Sequence, residues 1–533
     1  MVTRYIKITG IVLCTLFAMT SCNDFLQVDP SNGIRKDNFY QTAAQVDDAL
    51  TGLYGTLKPV PKYLFVMSEI RSDNVWVLTD SKQNDYADVA TFNSSGLLTD
   101  NIISSCWADY FKVVASANTL LERIEGVKFS NADAKTQYIA EARFIRALAY
   151  FDLIRFFGRV PMALKPLTTD EAFQLGQSEP EEVYAEVIIP DLQYAAEHLA
   201  EIAFDYQNNS HSERVTQIAA KALLGKVYLT MAGYPLNDTA KKPLAQALFK
   251  EVIDYATAND LYWADDIDEW NRMWIHENDN KYYIFEIQYI MHTDDGNPMV
   301  TLTVPSNPGL EWCANNLITG PHLYVEKGLQ MHFIERDNTL NKYLDERVDG
   351  TINLRETVNE DGSVSVSTGN TFYVKFFESR IKRGKLGYYD MDAQIIDRTY
   401  WPQNYPILRL EDIMLLYAEC VGNTEEGYAM INKIRQRAGL DALAGLSDDE
   451  FQEAVANERR YELVEEGHRW FDLVRHNKYV ETMKAMFIND DTTEDGTYAN
   501  FANRVNADMY LYPIPQSQME VRKGLYQQNK GYE

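Results

Sequence analysis

The chain is poor in cysteine, with five in 533 residues. Cys14 and Cys22 lie close to the N-terminus, while Cys106, Cys313 and Cys420 stand far apart. Three isolated thiols build no disulfide framework, and without a Cys-x-x-Cys pair they point to no zinc site. They read as buried, inert thiols. Basic residues are also scarce: 50 Lys and Arg face 78 Asp and Glu, a formal charge of −28. Such a surface repels phosphates, which argues against a nucleic-acid partner; an uncharged partner such as a sugar is not disfavoured. Glycine loops of the Walker or dinucleotide type are missing, so nucleotide chemistry has no support. After the first residues no apolar run is long enough to span a membrane. Apolar residues still make up 46% of the chain, enough for a large core.

What is present begins with "MVTRYIKITG", carrying Arg4 and Lys7, followed by the short apolar run "IVLCTLFAMT". This is the pattern of a secretory signal over residues 1–21 rather than a folded element. It ends in "TSC", so Cys22 is expected to become the lipidated first residue of an exported, tethered protein of residues 22–533, as in bacterial lipoproteins. Helical spacing of apolar residues then recurs over 37–57, 103–124, 134–157, 180–199, 213–231 and 243–257, with Pro180 and Pro243 suited to first turns. "AEARFIRALAYFDLIRFFG" and "AAKALLGKVYLTMAG" set small alanines against large aromatics. That suits closely packed helical hairpins of tetratricopeptide type, without a clean 34-residue period.

From about 259 to 404 the pattern gives way to Asn, Asp, Gly, Pro and aromatics. "LRETVNEDGSVSVSTG" signals a β-hairpin. So long a loop-rich region inside a compact chain points to function. Helices return with "ILRLEDIMLLYAEC", "GYAMINKIRQRAGL" and "NERRYELVEEGHRWFDLVRH". The expected fold class is mainly α. A tetratricopeptide-like scaffold over about 37–258 and 405–480 carries one irregular excursion with short β-hairpins, over about 259–404.

The stretch from 457 to 476 is the densest in titratable groups, and it fits no enzyme pattern. His468 and His476 are eight apart, where a zinc helix needs a single turn between them. Glu465 and Glu466 are adjacent, and so point away from each other rather than across a cleft. The spacing instead predicts an architectural helical segment, with Glu466–Arg469 and Asp472–Arg475 as intrahelical pairs. Trp263, Trp270 and Trp274 have helix-like spacing and read as core, as does Trp107. "DDIDE" at 265–269 lacks the glycine turn and spaced ligands of a calcium loop. No metal or cofactor is expected.

In order along the chain, the lipoprotein start, "RSDNVW" (71–76), "SCWADYFKVVASANTLLERI" (105–124), "EARFIRALAYFDLIRFFGRVP" (141–161) and "YYIFEIQY" (282–289) resemble one family. So do "YPILRLEDIMLLYAEC" (405–420), "INKIRQRAGL" (431–440), the stretch from 457, "YLYPIPQSQME" (510–520) and "QQNKGYE" (527–533). The family is the SusD/RagB-type outer-membrane lipoproteins. The resemblance implies a tetratricopeptide-like scaffold with loops over one face. It also implies a surface protein without catalytic activity that captures glycans and sits as a lid on a SusC-like TonB-dependent transporter barrel. Peptide capture by the same scaffold, or an accessory role without a ligand, are the alternatives.

Sugars present apolar C–H faces edged by hydroxyls, so a site needs aromatic platforms with fixed polar groups. Two stretches qualify, and the family's sugar sites draw on the same regions. "SEIRSDNVWVLTDSKQND" offers Asp73, Asn74 and Trp76; "IQYIMHTDDGNPMVTLTVPSNPGLEWCANN" offers Tyr289, His292 and Trp312. Asp73, Asn74, Trp76, Tyr289 and Trp312 are the expected ligand contacts.

Overall fold

The computed structural model describes residues 39–77, 86–201, 204–205, 210–211, 214–274, 282–289, 296–303, 323–337, 342–359, 364–367, 371–376, 403–489 and 497–533. Cys22, His292 and Trp312 lie outside the described residues. The first half is a run of helices: α1 (Ala43–Gly55), α2 (Asn101–Arg123), α3 (Ala132–Phe157), α4 (Ile189–His198), α5 (Gln217–Ala232) and α6 (Lys242–Asn259). From α2 to α6 each packs on the next, and α1 rests on α2 and α3. This is the mainly helical, tetratricopeptide-like scaffold the periodicity predicts. Close approach explains the small residues: a Cβ on Gly225 of α5 would lie 2.6 Å from the Phe249 ring of α6. Helix α3 is buried nearly all round, as befits the centre of the array. Among the described residues no helix is long and apolar enough to cross a membrane.

The second half contributes α7 (Leu410–Val421), α8 (Glu425–Arg437), α9 (Asp448–Leu463), α10 (Arg469–Arg475) and α11 (Tyr479–Asn489). Helix α7 packs directly on α6, so the array continues across the excursion as if it were not there. Short strands β1 (Val75–Val77), β2 (Tyr283–Ile287), β3 (Leu323–Val325), β4 (Arg355–Val358), β5 (Val364–Ser367) and β6 (Tyr405–Arg409) form antiparallel pairs β1–β3, β2–β6 and β4–β5. The β4–β5 pair is the hairpin expected from the Glu-Asp-Gly turn. The helix expected from "ILRLEDIMLLYAEC" begins only at Leu410. Residues 405–409 are strand instead, with both faces buried and Tyr405 opposite Ile287. That pairing closes the base of the excursion. Trp107, Trp270 and Trp274 are core, whereas Trp263 stays half-buried under Lys433 and Arg437.

Charge, not only apolar surface, fills the centre. The segment from 457 to 476 is architectural, but Glu458, Arg459, Glu462, Glu465, Glu466 and Arg475 are buried rather than lying on a solvated face. Glu462 is fully enclosed; its Oε1 accepts from Trp270 Nε1 at 2.9 Å, Arg437 Nη2 at 2.8 Å and Arg409 Nη1 at 3.1 Å. Its Oε2 accepts from Arg347 Nη1 at 2.9 Å. Arg347 also holds Glu458 at 2.7 Å and Asp345 at 2.7 Å. Glu466 does not pair with Arg469 as its spacing suggests. It takes Arg409 and Lys375, each at 2.8 Å. Asp472 does pair with Arg475, at 3.0 Å. Burial works against an ionised Glu462, but Arg437, Arg409 and Arg347 outweigh it and hold its carboxyl well below the usual range. Burial, with Lys226 nearby, pulls His468 down to about 3, leaving it uncharged at neutral pH.

The turn between α9 and α10 depends on Gly467, at φ +77°, where a Cβ would meet that of Leu64 at 2.5 Å. Nearby, Arg71 of "RSDNVW" lies over the rings of Phe92 and Tyr512 at 4.2 and 4.6 Å. It donates to Met509 O at 2.9 Å and to Tyr532 Oη at 3.1 Å. Motifs at the two ends of the chain therefore meet around one guanidinium.

Replacing Glu462 with Gln removes the charge that three guanidiniums share while keeping its shape. The expected loss is about 3–5 kcal/mol, read as a lower urea midpoint with an unchanged slope. A second buried carboxyl behaves oppositely. Burial raises Glu141 from 4.5 to about 7, only partly offset by Arg214 and by hydrogen bonds from Tyr54 and Gln137. Its raised value favours the folded state at low pH, and this contribution is lost as pH climbs from 4.5 through about 7. Glu141→Gln is therefore expected to gain on the wild type across that window, by up to about 3 kcal/mol, in urea titrations at successive pH values.

Candidate functional site

Val-Trp-Val and Leu-Tyr-Val are β-branched and aromatic triplets, and they pair as the ribbon β1–β3 with Val75 opposite Val325, Trp76 opposite Tyr324 and Val77 opposite Leu323. Alternation turns Val75, Leu323 and Val325 inward, while Trp76 and Tyr324 remain half-buried on the other face. Directly opposed residues share a face, so Trp76 and Tyr324 occupy the same side of the ribbon. Tyr498 adds a third aromatic, its ring 4.2 Å from that of Trp76 and inclined by 47°. Of the two stretches singled out in the sequence, the first enters the ribbon through Val75–Val77, while Trp312 of the second lies outside the described residues.

Asp73 stands two residues before β1. Arg469 grips it with a fork, Nε to Oδ1 at 2.7 Å and Nη2 to Oδ2 at 2.9 Å, and Arg460 Nη2 lies 3.4 Å from Oδ2. Burial raises the carboxyl, but Arg460 and Arg469 reverse this and hold Asp73 well below its usual value. Arg460 also donates to Asn74 Oδ1 at 2.9 Å, to Glu326 Oε2 at 2.8 Å and to the Asp73 carbonyl.

Two expected contacts are corrected by their surroundings. Asn74 is enclosed: its Nδ2 donates to Glu69 Oε2 at 2.6 Å, and its carbonyl accepts from Glu326 N and from Tyr373 Oη. It braces the ribbon and shows no face to a ligand. Tyr289 is equally buried, since it continues from β2, which is buried on both faces. Its hydroxyl donates to Lys58 O at 2.6 Å and its amide donates to Asn404 Oδ1 at 2.9 Å. The ring is packing, not platform. Trp76 keeps an accessible edge, and Asp73 borders open space.

That space is a groove of about 990 Å³ between α9 and α11, with α10 as its floor. Ala456, Asn457, Arg460, Arg469, Asp472 and Leu473 line its depth, and it reaches the ribbon at Asp73 and Glu326. Among the described residues no three His, Cys, Asp or Glu side chains are placed to hold a metal. Paired charges and half-exposed rings suit holding a polar ligand. Sequence reading missed Tyr324, although Leu-Tyr-Val alternates as a strand should. It also missed Tyr498, for which local sequence carries no signal.

Comparison with known proteins gives the same architecture. A model of the "SusD family" matches residues 273–532, and one described as "Starch-binding associating with outer membrane" matches residues 24–229. SusD-like protein P38 of Formosa agariphila is 26% identical over 519 residues, covering 90% of this chain and 93% of that protein. A SusD homologue from Bacteroides thetaiotaomicron superposes with a TM-score of 0.73 at 26% identity, over 92% of this chain and 97% of its own. Surface glycan-binding protein A from Bacteroides uniformis shares the fold, with a TM-score of 0.71 at 22% identity, over 92% of this chain and all of its own. The two models match 24–229 and 273–532 in order, and the relatives cover about nine-tenths of the chain: the protein belongs to the SusD/RagB family.

Proposed function

We propose that the protein is a non-catalytic, lipid-anchored receptor at the surface of the outer membrane. It captures oligosaccharides and hands them to a SusC-like TonB-dependent transporter. The observation that carries this reading is the β1–β3 ribbon, which sets Trp76 opposite Tyr324 on one face, with the Tyr498 ring against Trp76. Aromatic faces stack on the C–H surfaces of sugars, while Asp73, locked by two arginines, offers fixed polar atoms beside them. Support comes from the glycan-binding name of the Bacteroides uniformis structure and from the starch-binding, outer-membrane description of the N-terminal family model. The Cys22 signal supplies the anchor.

Affinity electrophoresis of residues 23–533 through gels of different polysaccharides tests the reading. Trp76→Ala and Trp312→Ala are each expected to weaken retention by about tenfold, equivalent to about 1.4 kcal/mol, with unfolding curves unchanged. Unaltered retention in both variants removes this face from the site, and retention on peptide arrays alone replaces the sugar with a peptide. Independently, Cys22→Ala is expected to release the protein from the membrane fraction of the cell.

A further inference from the structure

The groove between α9 and α11 is too large and too polar to be a packing defect. Its volume of about 990 Å³ lies at the top of the range of about 300–1,000 Å³ typical of small-ligand sites, so it has room for several sugar rings. It is continuous with the ribbon at Asp73 and Glu326.

The charge pattern in the groove specifies its occupant. Each guanidinium in its depth is matched by a carboxylate: Arg469 by Asp73 at 2.7 Å, Arg460 by Glu326 at 2.8 Å and Arg459 by Asp472 at 2.8 Å. On the rim Lys478 is matched by Glu481 at 3.0 Å. What remains over is acidic. Asp449 and Glu453 on α9 are exposed and carry no ion pair among the described residues. A compensated floor presents donors next to acceptors without net positive charge. Hydroxyl groups, which donate and accept at once, meet that demand. A carboxylate or sulfate only accepts. It would have to displace the existing partner of an arginine, against the field of two uncompensated acids and of a chain at −28. Leu473, Ala485 and Met486 add apolar surface for C–H faces, and Asn457 and Thr482 add uncharged polar groups.

We infer that this groove is an extension of the glycan site. It takes the continuation of an uncharged polysaccharide past Asp73 and turns away acidic glycans. The inference rests on the glycan-capture reading and adds to it a second subsite and a substrate class. The Trp76 face holds the first rings; the groove holds the chain beyond them.

The test uses residues 23–533 with laminarin, pullulan and xyloglucan, the sulfated derivatives of each, and short and long oligosaccharides cut from whichever neutral polymer is retained. Ala456→Trp, which fills the depth of the groove from its α9 wall, and Asn457→Ala are compared with Trp76→Ala, after thermal unfolding has shown each variant folded. The expected result is retention on a neutral polymer and not on its sulfated form. Both groove variants lose about tenfold in affinity for the long oligosaccharide while binding the short one as the wild type does; Trp76→Ala weakens both. Asp449→Lys with Glu453→Lys is expected to bring in binding of the sulfated polymer. Equal affinity of wild type and groove variants for the long oligosaccharide overturns the subsite. Preference for the sulfated polymers overturns the charge argument while leaving glycan capture intact. Failure to retain any of the polymers overturns the glycan reading and this inference with it.

Discussion

A single carboxylate, that of Glu462, holds together three arginines that come from different parts of the chain. Arg347 belongs to the excursion, Arg409 to the strand that closes it, and Arg437 to the end of α8. Trp270 completes the set through its indole N–H. None of these groups is exposed to water, so each is tolerable only while the others are in place. The consequence is registry more than raw stability. An apolar core of the same volume would pack as tightly, but it would not dictate which loop meets which helix. Here the fork of each guanidinium accepts a partner in only a few geometries, and that fixes how the excursion seats on the scaffold.

The same short segment reaches outward to the candidate site. Glu458, Glu462 and Glu466 turn into the network, while Arg460 and Arg469 turn toward Asp73. The helix α9, its sharp turn at Gly467 and the helix α10 therefore connect the centre of the protein to the edge of the ribbon. A rigid interior positions the groove floor, so a ligand there would meet side chains already held in place and would spend little ordering entropy on binding. A ligand-binding surface built on loops needs such a foundation, because loops alone do not hold their polar groups still.

Much of the scaffold was legible from local patterns. The helix from Asn101 to Arg123 follows its apolar spacing, the helix from Ala132 to Phe157 follows its run of alanines and aromatics, and the hairpin at 355–367 follows its turn residues. The start of α7 was not legible. "YPILR" is apolar enough for either a helix or a strand, and its state follows from pairing with Tyr283–Ile287 more than a hundred residues earlier in the chain. For the site, Trp76 stands out locally as an aromatic beside Asp and Asn. The burial of Asn74 and Tyr289 was not legible, because polarity and aromaticity do not reveal it. Tyr324 and Tyr498 acquire meaning only from what lies beside them.

Sequence alone determined the helical class, the loop-rich interruption, the acidic character and, through ordered motifs, the family. These are properties of composition, of period and of residues close together in the chain. Tertiary structure alone decided which charges are buried, which rings face outward and where a groove opens. The arginine that neutralises Asp73 lies nearly four hundred residues away at 469, and the aromatic beside Trp76 lies at 324. Coulomb attraction and stacking act over a few ångströms of space and take no account of separation along the chain, so only the folded arrangement brings them into play.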